Sequence, residues 1–181
     1  NEELIINSNI IYVEGYLFDQ KDAKEAIYHC CKLAKANNCR IALSLSDSFC
    51  VERHREEFCE LIKKYADIIF ANETEIQSLY QSNLKESLKK IRAVVEIGAI
   101  TLGSKGSIVF QNQIENLVPT ITVNDPVDTT GAGDIFASGF LYGLINKYSI
   151  EDCGKLGNKG ASDIIKYFGA RPKISLKKFL N

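Results

Sequence analysis

Short apolar runs rich in β-branched residues alternate with amphipathic segments of helix length along this chain, and that alternation points to an α/β fold with a mostly parallel sheet. Residues 9–13 (Asn-Ile-Ile-Tyr-Val) read as a first buried strand, and Glu14-Gly15-Tyr16 turns the chain out of it. Asp22 is placed to cap a helix in which Ala23, Ala26, Ile27, Cys30, Cys31 and Ala34 recur at helical spacing. A strand over 40–45 follows, then an amphipathic helix over 51–65 with Phe58, Leu61 and Ile62 inward. Residues 67–71 form the third strand, which runs into Asn72-Glu73-Thr74-Glu75 and a helix through Tyr80. A helix over 84–92, a strand over 93–102 and two short strands over 107–111 and 114–118 come next. The last elements are a glycine-containing loop over 128–133, a helix over 134–147 carrying Phe136, Phe140, Leu141 and Leu144 on one side, and a helix over 151–167. No repeat or linker divides the chain, so residues 1–181 read as one domain. Ligands of such sheets bind at the carboxyl ends of the strands, so Asn72, Thr101, Gly103 and the 128–134 loop are expected to share one edge.

Several function classes are set aside by composition. Hydrophobic residues at 45% and charged residues at 25% describe a globular chain, and a formal net charge of -1 gives no electrostatic footprint for nucleic acid. No apolar run reaches the length of a membrane span, and the acidic start Asn1-Glu2-Glu3 lacks the positive region of a signal peptide. The six cysteines form no C-x-x-C pair, and the two histidines, His29 and His54, complete no zinc spacing. Reduced, structural thiols in a cytoplasmic protein are therefore expected. The absence of Met even at position 1 implies a chain that is not an intact translation product.

The chemistry is concentrated in Asp128-Thr129-Thr130-Gly131-Ala132-Gly133-Asp134. Gly131, Ala132 and Gly133 present almost no side chain at the start of a helix, where backbone N–H groups lack intrahelical partners and the helix dipole is positive. That combination binds anions, phosphate above all. Asp134 adds a carboxylate, which repels a resting phosphate but suits a base that deprotonates a hydroxyl attacking phosphorus. On glycine spacing alone, the same residues serve equally as a turn with an acid in the first helical turn.

The segment from Asp128 to Asp134, continued by Ile135-Phe136-Ala137-Ser138-Gly139-Phe140, resembles the C-terminal signature of the PfkB/ribokinase family of carbohydrate and nucleoside kinases. The resemblance runs along the chain: Asn72-Glu73-Thr74-Glu75 is similar to the family's N-x-x-E motif, Thr101 to Gly106 to its nucleotide loop, and Phe168-Gly169-Ala170-Arg171-Pro172 to its closing loop. Residues 14–19 and 45–50 look closest to bacterial adenosine kinase-like or sugar kinase members.

The resemblance implies a ribokinase-like three-layer fold and transfer of the γ-phosphoryl group of ATP to a sugar or nucleoside hydroxyl. Asp134 would be the general base, and the N–H groups of Gly131, Ala132 and Gly133 the anion hole. Asn72 and Glu75 would serve Mg²⁺ through water. Thr101, Gly103, Gly106 and Asn158 would line the nucleotide site. Asp128 and the Thr130 carbonyl would hold a monovalent cation such as K⁺, although Lys173 stands where some relatives carry a small residue at that site. N-x-x-E is also a capping-box pattern, which accounts for Asn72 and Glu75 without any metal. Only the later part of the family pattern is matched. The N-terminal half, with its lid, its acceptor-binding residues and the surface through which a homodimer would form, has no counterpart here. The acceptor is therefore left open, and a nucleotide-binding fragment without turnover is the alternative. A dinucleotide oxidoreductase is disfavoured, because Gly15 opens no glycine fingerprint after the first strand.

Overall fold

Runs such as Ile68-Ile69-Phe70-Ala71, too short for a helix and apolar on both faces, become strands in the computed structural model, which describes residues 1–179. The strands are β1 (Ile10–Glu14), β2 (Arg40–Ser44), β3 (Ile68–Asn72), β4 (Ile97–Thr101), β5 (Ser107–Gln111) and β6 (Ile114–Val118), hydrogen-bonded in that order. The helices are α1 (Glu2–Ile6), α2 (Lys21–Ala36), α3 (Ser48–Arg53), α4 (Arg55–Tyr65), α5 (Glu73–Tyr80), α6 (Leu84–Arg92), α7 (Ala132–Ile145) and α8 (Ile150–Ile164). β1 and β2 pair in parallel with Ile11 opposite Ile41, and β2 and β3 with Leu43 opposite Ile69. β5 and β6 form an antiparallel hairpin turned at Asn112, whose φ of 53° is one that Asn tolerates. Ile68 to Ala71 are all buried, as expected of a strand covered on both faces.

The chain divides into two compact units, 1–98 and 99–181, with the boundary inside β4. In the first, Phe18 of a 3₁₀ turn (Gly15–Asp19) stacks on Phe58 of α4 with ring centroids 4.6 Å apart. In the second, α7 and α8 approach so closely that a Cβ on Gly157 would stand 2.8 Å from the Phe136 ring. Gly157→Ala would therefore force the pair apart.

The structure corrects four local expectations. The helix over 51–65 is two helices that meet at His54. The turn after β1 is the 3₁₀ turn. α2 begins at Lys21 after Gln20, so Asp22 lies in its first turn and does not cap it. β4 begins at Ile97, because the N–H groups of Val94 and Val95 both donate to the Ile91 carbonyl, at 3.0 and 2.9 Å, and close α6. All six cysteines carry free thiols. Among the described residues no helix is long and apolar enough to cross a membrane.

Candidate active site

In the first unit, polar residues collect where β1, β2 and β3 end. Asn72 caps α5: its Oδ1 accepts from the Glu75 N–H at 2.8 Å. Glu75 reciprocates, accepting from the Asn72 N–H at 2.8 Å and from its Nδ2 at 2.6 Å. The capping box is thus complete. The side chain is 6% exposed, and burial pushes its carboxyl up to about 7, helped by the nearby charges of Asp47 and Glu14 and opposed by the Asn72 N–H. Glu14 accepts from Ser46 Oγ at 2.7 Å, and Asp47 caps α3 through the N–H groups of Phe49 and Cys50. Glu14 and Asp47 thus add negative charge near the buried Glu75 carboxyl, and carboxylate oxygens are donors of the kind Mg²⁺ takes.

The second unit contains a cavity of about 310 Å³. Thr101, Gly103, Gly106, Ala132, Gly133 and Asn158, all singled out by sequence, line it together. The 101–106 turn is closed by the Leu102 N–H donating to the Gly106 carbonyl at 2.8 Å. Gly106 is obligatory there: its φ is 97°, and a Cβ would fall 2.1 Å from the Val118 carbonyl oxygen. Asn158 is 5% exposed and donates from Nδ2 to the Val118 and Pro119 carbonyls at 3.0 and 3.3 Å. It thereby fixes the chain where β6 leaves the sheet and enters the cavity wall.

The glycine loop opens onto this cavity. Gly131 is the N-cap of α7, with φ 77°. Its backbone lies against the 169–171 turn, and Asp128 staples the two segments: Oδ1 accepts from the Thr130 N–H and Oδ2 from the Gly169 N–H, both at 2.9 Å. Hydrogen bonds from Thr130 and Gly169 hold the Asp128 carboxyl below its ordinary range. The Ala132 N–H donates to the Thr129 carbonyl at 3.1 Å, whereas among the described residues the N–H groups of Gly131 and Gly133 meet no protein acceptor. A Cβ on Gly133 would stand in open space, with nothing within 4 Å beyond its chain neighbours and its own helix backbone, and Gly133 itself lines the cavity. Asp134 follows in the first turn of α7, with its side chain exposed.

Sequence reasoning missed the rest of the cavity wall. Thr120 and Ser162 Oγ atoms pair at 2.8 Å, and Ser162 also reaches the Ile121 carbonyl at 3.1 Å. These residues sit in no motif; only the hairpin and α8 coming together place them at the site.

Comparison with known proteins places the chain in context. A model of the pfkB family of carbohydrate kinases matches residues 1–177. A probable sugar kinase from Rhizobium etli is 42% identical, with a TM-score of 0.95 over 99% of this chain and 55% of that one. Adenosine kinase from Sinorhizobium meliloti is 38% identical, with a TM-score of 0.95 over 99% of this chain and 56% of that one. Anopheles gambiae adenosine kinase, solved in complex with P1,P4-di(adenosine-5) tetraphosphate, is 28% identical, with a TM-score of 0.82 over 93% of this chain and 54% of that one. The chain spans about half the length of the curated relatives it matches.

Proposed function

The chain belongs to the pfkB family of carbohydrate kinases, and from that premise we propose that it carries the nucleotide-binding and catalytic part of an ATP-dependent kinase acting on a hydroxyl of a sugar or nucleoside. The observation that carries this reading is the glycine loop at the start of α7, open to the cavity that six of the expected nucleotide-site and anion-hole residues line. The nucleotide occupies the cavity, with its phosphates toward the N–H groups of Gly131 and Gly133 and the positive end of α7. Asp134 accepts the proton of the acceptor hydroxyl as its oxygen attacks the γ-phosphorus. The bond from that phosphorus to the β–γ bridging oxygen breaks, and ADP leaves.

Asn72 and Glu75 are the residues that would hold Mg²⁺, through water, and the ion would supply neutralisation of phosphate charge. Asp128 and the Thr130 carbonyl are the groups that would hold a monovalent cation. Two kinds of relative bear on the acceptor, sugar kinases and adenosine kinases. A phosphorylation screen of the full-length protein with ATP and Mg²⁺ against adenosine, other nucleosides, ribose and fructose tests the reading. One acceptor class should gain phosphate as ADP forms in equal amount. ADP formation without any phosphorylated acceptor contradicts it.

Glu75→Gln separates the metal role from the capping role. The amide oxygen still accepts from the Asn72 N–H, while its NH₂ gives up the bond from Asn72 Nδ2 and carries no charge for metal-bound water. The expected result is a folded full-length enzyme with lower turnover and a higher Mg²⁺ requirement, the dependence moving by about 10–100-fold. An Mg²⁺ titration identical to that of the parent leaves Glu75 with the capping box alone.

A further inference from the structure

Away from these residues, Asp19, Cys50 and His54 bring three kinds of metal-binding atom to one point inside the first unit, all within 4.8 Å of one another. We propose that this cluster binds a thiophilic divalent cation of the zinc type and ties the Gly15–Asp19 turn to the junction of α3 and α4.

Local structure builds the cluster. Cys50 lies in α3 and His54 stands where α3 gives way to α4, so the C-x-x-x-H spacing puts both on one side of the helix. Asp19 ends the 3₁₀ turn, which is held in place by the Gly15 N–H donating to Ser46 Oγ at 2.9 Å. His54 Nε2 is 3.0 Å and Cys50 Sγ 3.8 Å from the same oxygen, Asp19 Oδ1. A tetrahedral zinc ion with bonds of about 2.0–2.3 Å holds such ligand atoms about 3.3–3.6 Å apart. Relative to the shared Asp19 Oδ1, the His54 atom thus opens and the thiol closes by a few tenths of an ångström, and the thiol and the imidazole, within 4.8 Å of each other, close to the same spacing. Solvent supplies the fourth position, since the Asp19 side chain is 39% exposed.

The far side of the imidazole gives independent support. Nδ1 lies 3.0 Å from Glu57 Oε2, and Glu57 is itself fixed by Lys24 at 2.7 and 2.8 Å. A carboxylate on the remote nitrogen is the usual orienting partner of a metal-bound histidine. Both ring nitrogens of His54 face carboxylates, whereas a neutral ring has one N–H and one lone pair. Lys24 Nζ also lies 3.3 Å from Nδ1, so without metal the ring accepts there and gives its N–H to Asp19; with the N–H toward Glu57 instead, the lone pair of Nε2 faces the Asp19 side, and this is the tautomer that metal binding selects. Arg53 competes for the same carboxylate, with Nη2 at 2.6 Å from Oδ2 and Nε at 3.1 Å from Oδ1. A metal on Oδ1 displaces the longer contact and leaves the shorter, so the affinity is below that of an all-thiolate site. Binding forms the metal–sulfur bond and releases the Cys50 thiol proton to solvent, with no change of oxidation state.

The test is a Co²⁺ titration of the metal-stripped full-length protein in saturating Mg²⁺, which fills hard-oxygen sites, followed by Zn²⁺. A thiolate-to-cobalt charge-transfer band with tetrahedral d–d bands is expected, saturating at a single equivalent and abolished by Zn²⁺. Cys50→Ser and His54→Gln, each checked for folding by circular dichroism, should both lose the charge-transfer band, while Cys59→Ser keeps it. Glu57→Gln should keep the band and weaken Co²⁺ binding by about 10–100-fold. A parent protein without the band, or a band that survives in a folded Cys50→Ser or His54→Gln variant, overturns the proposal. Should one of those two variants fail to fold, the other decides.

Discussion

Gly131→Ala is expected to lower turnover of the full-length enzyme by about 10²-fold or more and to weaken nucleotide binding with it, because small displacements of a positioning loop carry costs of that order. Two physical effects act together. The residue sits at φ 77°, where an L-side chain costs about 1–2 kcal/mol. Its Cβ would also stand 2.7 Å from Ala170 Cβ and 2.9 Å from Ala170 Cα, so either the anion loop or the 169–171 turn must move. Gly133→Ala is the informative partner, since its Cβ would stand in open space, with nothing within 4 Å beyond its chain neighbours and its own helix backbone. Thermal unfolding of Gly133→Ala should match the parent while its nucleotide affinity falls, because the added methyl group sits on a residue that lines the proposed nucleotide cavity. Gly131→Ala should lose both stability and affinity. Isothermal titration with ATP and a melting curve for each variant check this. Parent-like nucleotide binding in both variants would place the phosphates elsewhere.

The elements that local chemistry determines were legible in the sequence. The apolar runs that became β1, β2 and β3 and the N-x-x-E box at Asn72 and Glu75 needed nothing beyond their own residues. So did the turn between β5 and β6, where Asn112 adopts its positive φ. What failed to show was decided by contacts distant along the chain. Residues 51–65 carry an unbroken amphipathic pattern, yet the helix breaks at His54, whose ring is drawn to Asp19 and Glu57. Asp47 serves local structure, its carboxylate capping α3 at the N–H groups of Phe49 and Cys50, each at 3.1 Å. Cys50 and His54 alone make no zinc spacing, and their third partner lies 31 residues before Cys50. The same reasoning divides the candidate site. Glycines 103, 106, 131 and 133 stand out in a sequence, whereas Thr120, Ile121 and Ser162 belong to the cavity only after β6 and α8 have packed. The burial of Glu75 was likewise invisible, since it depends on what surrounds the start of α5.

Asp134→Asn should separate binding from turnover. In the proposed site the anion is held by backbone N–H groups that the substitution leaves in place, so ATP affinity should stay close to the parent value. Removing a negative charge beside the phosphates favours binding, if anything. Turnover should fall by about 10²–10⁴-fold, the usual contribution of a positioned general base, because an amide cannot accept the hydroxyl proton. The side chain is exposed in the first turn of α7 and makes no hydrogen bond among the described residues, so the melting temperature should not move. Measuring ATP affinity and kcat of Asp134→Asn side by side in the full-length enzyme is therefore the most direct test of the phosphoryl-transfer assignment: retained affinity with turnover down by about 10²–10⁴-fold is the predicted result, and parent-like turnover, or affinity and activity lost together, would contradict it.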